Sequence, residues 1–289
     1  MSSRHMMNIN KAINYIYANL DKNLSVEEIA AQGYFSKYHF NRVFKGSVGE
    51  NIYSFIKRMK LERAAFMLKT APHKSITDIA VEAGYSSSNF ASAFRQYFGV
   101  SASAFRREQQ MPLKDSFSIV IQHIQNLKKN EHIFKELDKK IKLKRIAELN
   151  LSYKRVICNY TRDLETAWCS FCTELEEKQL LKENTCFIGI SYDDPLLTVD
   201  EDRCIYDMCV ALEETAGYDE HNIKEGLYAC YAFQDEAAKL ILTFNEIFSL
   251  WLPFCRYELE DKPTLEIYRS GIDEDGKISL EICIPIKNG

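Results

Sequence analysis

The sequence predicts a multidomain chain, with an all-α N-terminal domain holding two helix-turn-helix units followed by an α+β domain built from two βαββ halves. Three observations point to this. Residues 25–57 slide onto 75–107 without a gap and give eight identities, where ordinary composition would give about two. The charge is divided along the chain: residues 1–110 carry a net +7, residues 111–150 a net +4 and residues 151–289 a net −15, which together make the overall −4. From Val156 onward, a second duplication shows in the order of elements rather than in identities.

The first helix is expected over Asn8 to Leu20, where Ile9, Ile13, Ile16 and Leu20 recur at helical spacing. MSSRHM at the start resembles a tag remnant and is left out of this reading. Ser25 can cap a short helix over Val26–Gln32, and Glu27 and Glu28 suit the positive end of its dipole. After a tight turn Ser36 can cap a second helix, on which Phe40, Val43 and Phe44 form one apolar stripe. Lys37, Tyr38, Asn41, Arg42 and Lys45 then face outward, a set suited to a DNA major groove. In the second copy Ser75 caps Ile76–Ala83, and Phe90, Ala93 and Phe94 face inward. Its outward set is Ser88, Ala91, Ser92 and Arg95, which suits the phosphate backbone more than base edges, with Ser87, Ser88, Ser92 and Arg95 as the candidate contacts. The plainer alternative for either pair is a packed helical hairpin with a solvated polar face, but two copies in register argue against it.

Between the copies, Asn51 begins a helix reaching Thr70, roughly 28 Å long at about 1.5 Å per residue. Successive major grooves on one face of a duplex lie about 34 Å apart. This spacer can therefore place both units on one duplex face, with Lys57, Arg58, Lys60 and Arg63 as candidate phosphate contacts.

LSVEEIA, FSKYHFNRVFK and ITDIAVEAGYSSSNFASAFRQYFGVSASAFRR resemble the DNA-binding domain of the AraC/XylS transcription regulators, over residues 8–110. The resemblance implies double-stranded DNA as a partner, base contacts from Tyr38, Asn41 and Arg42, and RNA polymerase as a further candidate partner. Two departures stand out. Tyr34 replaces the usual small turn residue, and Ala102 replaces a proline common after FGVS.

Residues 111–137 read as a connection: Pro112 punctuates the chain, and SFSIVIQHIQNL is apolar enough to pack. Lys139–Ile146 alternates weakly and can form a strand. Strands are then expected over Val156–Tyr160, Cys186–Tyr192 and Arg203–Leu212 around a helix at Asp163–Leu181. A second set follows over Gly226–Phe233, Thr264–Ser270 and Lys277–Ile286 around a helix at Asp235–Leu250. FIGISYDDPLLTVDEDRCIYDMCV, GLYACYAF, WLPFCRYELEDKPTLEIY and EICIPIK resemble the GyrI-like effector-binding domain, over residues 138–287. This resemblance implies a cavity for a small organic effector, often bulky and apolar or cationic. YTRDL at Tyr160–Leu164 departs from the family's usual helix start.

Glu266 and Tyr268 share one face of their strand, and a carboxylate beside aromatic rings suits a lipophilic cation. Trp168, Tyr192 and Tyr206 are further ligand candidates because their elements are expected to line that cavity. A fused small-molecule hydrolase is the alternative function, since a few GyrI-like relatives hydrolyse small molecules. Asp193 and Asp194 precede Pro195 and read as turn residues, so no catalytic residue is assigned.

All nine cysteines lie from Cys158 onward. An odd count with no secretory leader points to reduced thiols in a cytoplasm. The lone Cys169–Cys172 pair sits in a helical pattern and reads as buried thiols rather than a metal or redox pair. No apolar run approaches the roughly 18 residues of a membrane span. No cofactor or metal is expected.

Overall fold

A computed structural model describes residues 3–108, 118–130, 132–198, 200–212 and 217–288. Its contacts divide the chain into two units, Met1–Pro112 with Asp194–Arg203, and Leu113–Asp193 with Cys204–Gly289.

In the first unit, α1 (Ser3–Tyr17) starts inside the stretch set aside as a remnant, where no Gly or Pro interrupts the helix. Ile9, Ile13 and Ile16 are buried on it. α2 (Val26–Gln32) has a reciprocal cap: the Glu28 N–H donates to Ser25 Oγ at 3.2 Å, and the Ser25 N–H donates to Glu28 Oε2 at 3.0 Å. α3 (Lys37–Val48) follows, then α4 (Ile52–Thr70), capped by Asn51, which accepts from the Ser54 N–H. The second copy comprises α5 (Ile76–Glu82) and α6 (Ser87–Phe98), closed by α7 (Ala102–Glu108). Ser36 and Ser86 hold N-cap backbone geometry, but neither hydroxyl caps its helix.

The repeat extends to the packing. Ring centroids of Phe40–Phe44 and Phe44–Phe55 lie 5.3 Å apart, while those of Phe90–Phe94 and Phe94–Phe105 lie 5.4 and 5.6 Å apart. Each copy is thus built on the same three phenylalanines, all buried. The turns differ. Gly84 has φ +72°, and its aligned partner Tyr34 is forced to φ +58°, a left-handed conformation unfavourable to a residue with a Cβ. Tyr34 is exposed, and the Lys11 ammonium lies 5.1 Å from its ring centroid.

The spacer helix departs from the expected charged face. Arg58 is buried, with Nε 2.9 Å from Glu50 Oε1 and Nη1 3.2 Å from Glu62 Oε2. Lys60 is also buried and donates to the Lys22 carbonyl at 3.0 Å. Neither is available to phosphate as they stand, because Arg58 is held by Glu62 one turn on and by Glu50, and Lys60 by a carbonyl of a distant segment. Lys57 is exposed.

The second unit includes α8 (Ser118–Leu127) and α9 (Ile133–Lys140), in the stretch read as a connection, whose residues 111–117 and 131 lie outside those described. Then come β1 (Ile141–Ile146), β2 (Leu149–Cys158), α10 (Tyr160–Glu177), β3 (Phe187–Ser191) and β4 (Cys204–Val210). β5 (Asp219–Ile223), β6 (Gly226–Glu236), α11 (Leu240–Glu246), β7 (Tyr257–Leu259), β8 (Leu265–Ser270) and β9 (Lys277–Asn288) complete it. α11 runs on through a wider π turn, Ile247–Trp251, and Trp251 Nε1 donates to Asp138 Oδ1 at 2.9 Å.

The strands form one antiparallel sheet ordered β1-β6-β9-β8-β3-β4-β2-β5, with β7 beside β9. Both expected βαββ halves are present. β2 and β3 flank β4 in one, β6 and β8 flank β9 in the other, and the β3–β8 pairing joins them. Strand alternation divides the side chains between two faces. One carries Tyr153, Ile188, Ile190, Cys209, Tyr228, Cys230, Leu265 and Cys283. The other places Tyr206, Met208 and Val210 under Phe171, Leu175 and Trp168 of α10. Cys169 and Cys172 flank that apolar stripe, so Cys169 is exposed and Cys172 half-buried, unlike the expected buried thiols.

Candidate functional site

The outward face of α3 is arranged as its spacing requires. Lys37, Tyr38, Arg42 and Lys45 are exposed and Asn41 is half-buried, while Phe40 and Phe44 hold the helix from beneath. Tyr38 is 88% exposed, a large apolar surface that a base or sugar could cover. Lys37 Nζ lies 2.6 Å from Glu27 Oε1, so this cation reaches a phosphate only by leaving its partner. An Arg42 Nη2 lies 3.5 Å from His39 Nδ1. On α6, Ser87, Ser88, Ser92 and Arg95 are all exposed, with Asn89 and Gln96 beside them. Gln96 accepts from Lys57 at 3.0 Å.

In the second unit the centre of interest is Glu266 on β8, only 3% exposed. Tyr206 Oη donates to its Oε2 at 2.6 Å and Tyr268 Oη donates to the same oxygen at 3.0 Å; the two hydroxyls are 2.9 Å apart. Ser191 also hydrogen-bonds the carboxyl. Burial raises the Glu266 pKa above the usual carboxylate range, although the Tyr206, Tyr268 and Ser191 hydroxyls pull it partly back. Among the described residues no cation pairs with it. The Trp168 ring meets Tyr268 edge-on at 5.2 Å and Tyr206 at 6.3 Å, and Tyr160 meets Tyr206 at 5.6 Å.

Four of the five ligand candidates, Glu266, Tyr268, Trp168 and Tyr206, are therefore brought together. Tyr192 is placed elsewhere, on the opposite face of the sheet. There its hydroxyl donates to Asp207 Oδ2 at 2.9 Å and lies 3.3 Å from His221 Nε2. Asp207 is clasped by Arg155 at 2.7 Å through both oxygens, and His221 Nε2 is 2.7 Å from Oδ2. Burial would raise the Asp207 pKa, but the Arg155 guanidinium and His221 outweigh it and hold the carboxyl below its ordinary value.

Sequence reasoning missed Gly189, Ser191 and Tyr160. Gly189 faces Glu266 across the strands, and a Cβ there would lie 1.7 Å from Tyr206 Oη. The glycine opens the path along which that phenol reaches the carboxyl. A glycine inside the apolar run FIGIS was the available signal for such a close approach. Where YTRDL departs from the usual helix start, Asn159 caps α10 instead, its Oδ1 accepting from the Thr161 N–H at 3.0 Å and the Arg162 N–H at 3.3 Å.

Residues 139–287 match the family described as GyrI-like small molecule binding domain, and residues 29–108 match a helix-turn-helix domain family. The chain belongs to the GyrI-like family and carries an AraC-type helix-turn-helix region ahead of the matched domain. Over 99 residues, 34% of this chain, it is 33% identical to the HTH-type transcriptional activator AarP of Providencia stuartii, covering 73% of that protein. Over 111 residues, 38% of this chain, it is 30% identical to the transposon Tn10 TetD protein of Escherichia coli, covering 80% of it. It is also 33% identical over 99 residues, again 34% of this chain, to an HTH-type transcriptional regulator of Bacillus subtilis, YbfP, of which it spans only a third. No helix among the described residues is long and apolar enough to cross a membrane.

Proposed function

We propose that this chain is a sequence-specific DNA-binding transcription regulator whose C-terminal half senses a lipophilic organic cation. In this reading residues 8–110 bind DNA, 111–137 connect, and 138–287 receive the effector in the cytoplasm. RNA polymerase is the partner through which transcription responds. In this reading the domain binds its ligand without turning it over, as suits a chain whose relatives are named as regulators.

The observation that carries the sensor assignment is Glu266, a carboxyl removed from water and, among the described residues, met only by hydroxyls, with indole and phenol rings beside it. An ionised carboxylate in such a place lacks a compensating charge, and a cation with an apolar surface supplies it while stacking on the rings. On α3, Tyr38, Asn41 and Arg42 are the proposed base contacts, and Lys37 and Lys45 the phosphate contacts. Ser87, Ser88, Ser92 and Arg95 of α6 hold the backbone of the neighbouring groove.

Two measurements test the two halves. Replacing Arg42 by Ala should weaken binding to a selected operator by about 1–3 kcal/mol while leaving binding to scrambled duplex nearly unchanged. Equal losses on both duplexes would remove Arg42 from base reading. For the sensor, calorimetric titration of a tetra-aryl phosphonium salt should give saturable one-site binding to the wild type that Glu266→Gln weakens at least tenfold. Equal affinity in both proteins would refute the assignment.

A further inference from the structure

The first and last strands of each βαββ half carry a pair of cysteines in direct cross-strand register. Cys158 faces Cys204 between β2 and β4, and Cys230 faces Cys283 between β6 and β9. Directly opposed residues of an antiparallel pair have Cα atoms about 4.5 or 5.5 Å apart, and both separations fall within the span of a disulfide. Register therefore puts both pairs within the Cα span of a disulfide. Yet the two environments differ. Cys230 and Cys283 are buried on the face that also bears Tyr228, and their thiols hydrogen-bond to each other. The Lys144 ammonium and the Glu281 carboxylate, paired with each other, act on the same two thiols in opposite directions. Burial and the Asp163 carboxylate push the Cys158 thiol up to about 11, so it carries almost no thiolate at neutral pH.

We infer that Cys230 and Cys283 form a peroxide-responsive thiol pair, closing to a cross-strand disulfide that staples the first strand of the second half to its last. Cys230 is the attacking sulfur: the hydrogen bond from the Cys283 thiol favours its thiolate against burial and the Glu281 carboxylate, with the Lys144 charge a smaller help, while Cys283 is driven the other way by donating. The Cys230 thiolate attacks one oxygen of hydrogen peroxide, the O–O bond breaks, and the departing hydroxide takes a proton to become water. The resulting sulfenic acid is attacked by the Cys283 sulfur, which gives up its proton as the S–O bond breaks and a second water leaves. Two thiols and one peroxide give one disulfide and two waters. Cys230 is 2% exposed and Cys283 fully buried, so a small neutral oxidant should succeed where a bulky alkylating reagent does not.

The full-length chain is treated with hydrogen peroxide at neutral pH, then unfolded, alkylated and mapped by mass spectrometry. A peptide linked through Cys230 and Cys283 should accumulate, with Cys158 and Cys204 still alkylated. Without peroxide, N-ethylmaleimide should label Cys169 in the folded protein and spare Cys230 and Cys283. The linked form should melt several degrees higher, and dithiothreitol should reverse the shift. In Cys283→Ser the sulfenic acid on Cys230 should persist long enough for dimedone to trap it. Recovery of Cys230 and Cys283 as free thiols under peroxide that oxidises Cys169 would overturn the inference, as would linkage of Cys230 to any other cysteine. The mapping needs only the wild-type chain, so a poorly folding variant does not blunt it.

Discussion

Two buried carboxylates in the same sheet have opposite fates. Asp207 and Tyr206 are consecutive on β4, so their side chains leave opposite faces, and Tyr206 reaches Glu266 while Asp207 meets Arg155. Asp207 has a guanidinium on both oxygens, a phenol and an imidazole, and the His221 ring stacks on Tyr153 at 4.0 Å. Among the described residues Glu266 has hydroxyls alone. The first charge is matched from within the protein and serves the fold. The second is met by hydroxyls without being neutralised, which is the basis for proposing a cationic effector.

The largest effect expected from breaking this contrast is at Asp207. Its replacement by Ala strands the buried Arg155 and should lower unfolding free energy by about 3–5 kcal/mol in urea titrations. A loss below about 1 kcal/mol would mean that water reaches the arginine. Gly189→Ala should come next. The new Cβ displaces the Tyr206 hydroxyl, so a loss of about 1–3 kcal/mol in stability is expected, with weaker binding of the tetra-aryl phosphonium salt by calorimetry.

Glu266→Gln should move stability by less than about 1 kcal/mol, since an amide can still accept from both tyrosines, yet remove most cation affinity. Acidity sharpens the contrast further. Asp207 has a depressed folded pKa, so its stabilisation is present above the unfolded value near 4 and is lost as pH falls through the folded one. Glu266 has a raised folded pKa, so its favourable contribution is present at low pH and is lost as pH climbs from the unfolded value through the folded one. Denaturant titrations from pH 4 to 8 should show the Glu266 part of that profile vanish in Glu266→Gln and persist in the wild type. Over the same window cation affinity should rise by up to about tenfold per pH unit until the carboxyl is ionised, then level off.

The legibility of the two halves differs for a physical reason. In the N-terminal region the signals are local. Helical spacing places Phe40 and Phe44 inward and Tyr38 and Arg42 outward, and caps such as Ser25 and Asn51 fix where helices begin. Gap-free duplication then makes each copy a check on the other, down to Tyr34 occupying the left-handed site of Gly84. Arg58 and Lys60 escaped that reading because their partners, Glu50, Glu62 and the Lys22 carbonyl, lie on other turns or segments. In the sheet, alternation correctly put Glu266 with Tyr268. Tyr192 follows the same alternation, with Ile188 and Ile190 on the opposite face, but only the pairing of Gly189 with Glu266 shows which face of β3 meets the carboxyl. β5, with DEHNI, was missed because an edge strand without an apolar face has no periodic signal.

Sequence alone determined the two duplications, the faces of the helices and the face of each well-patterned strand, because these depend on periods of 3.6 and 2 within a few neighbouring residues. Tertiary structure decided which buried charges were neutralised. Arg155 and Asp207 stand fifty-two residues apart, and only strand pairing puts one opposite the other. By the same pairing Gly189 lies beside Glu266, with the space that lets Tyr206 complete the site.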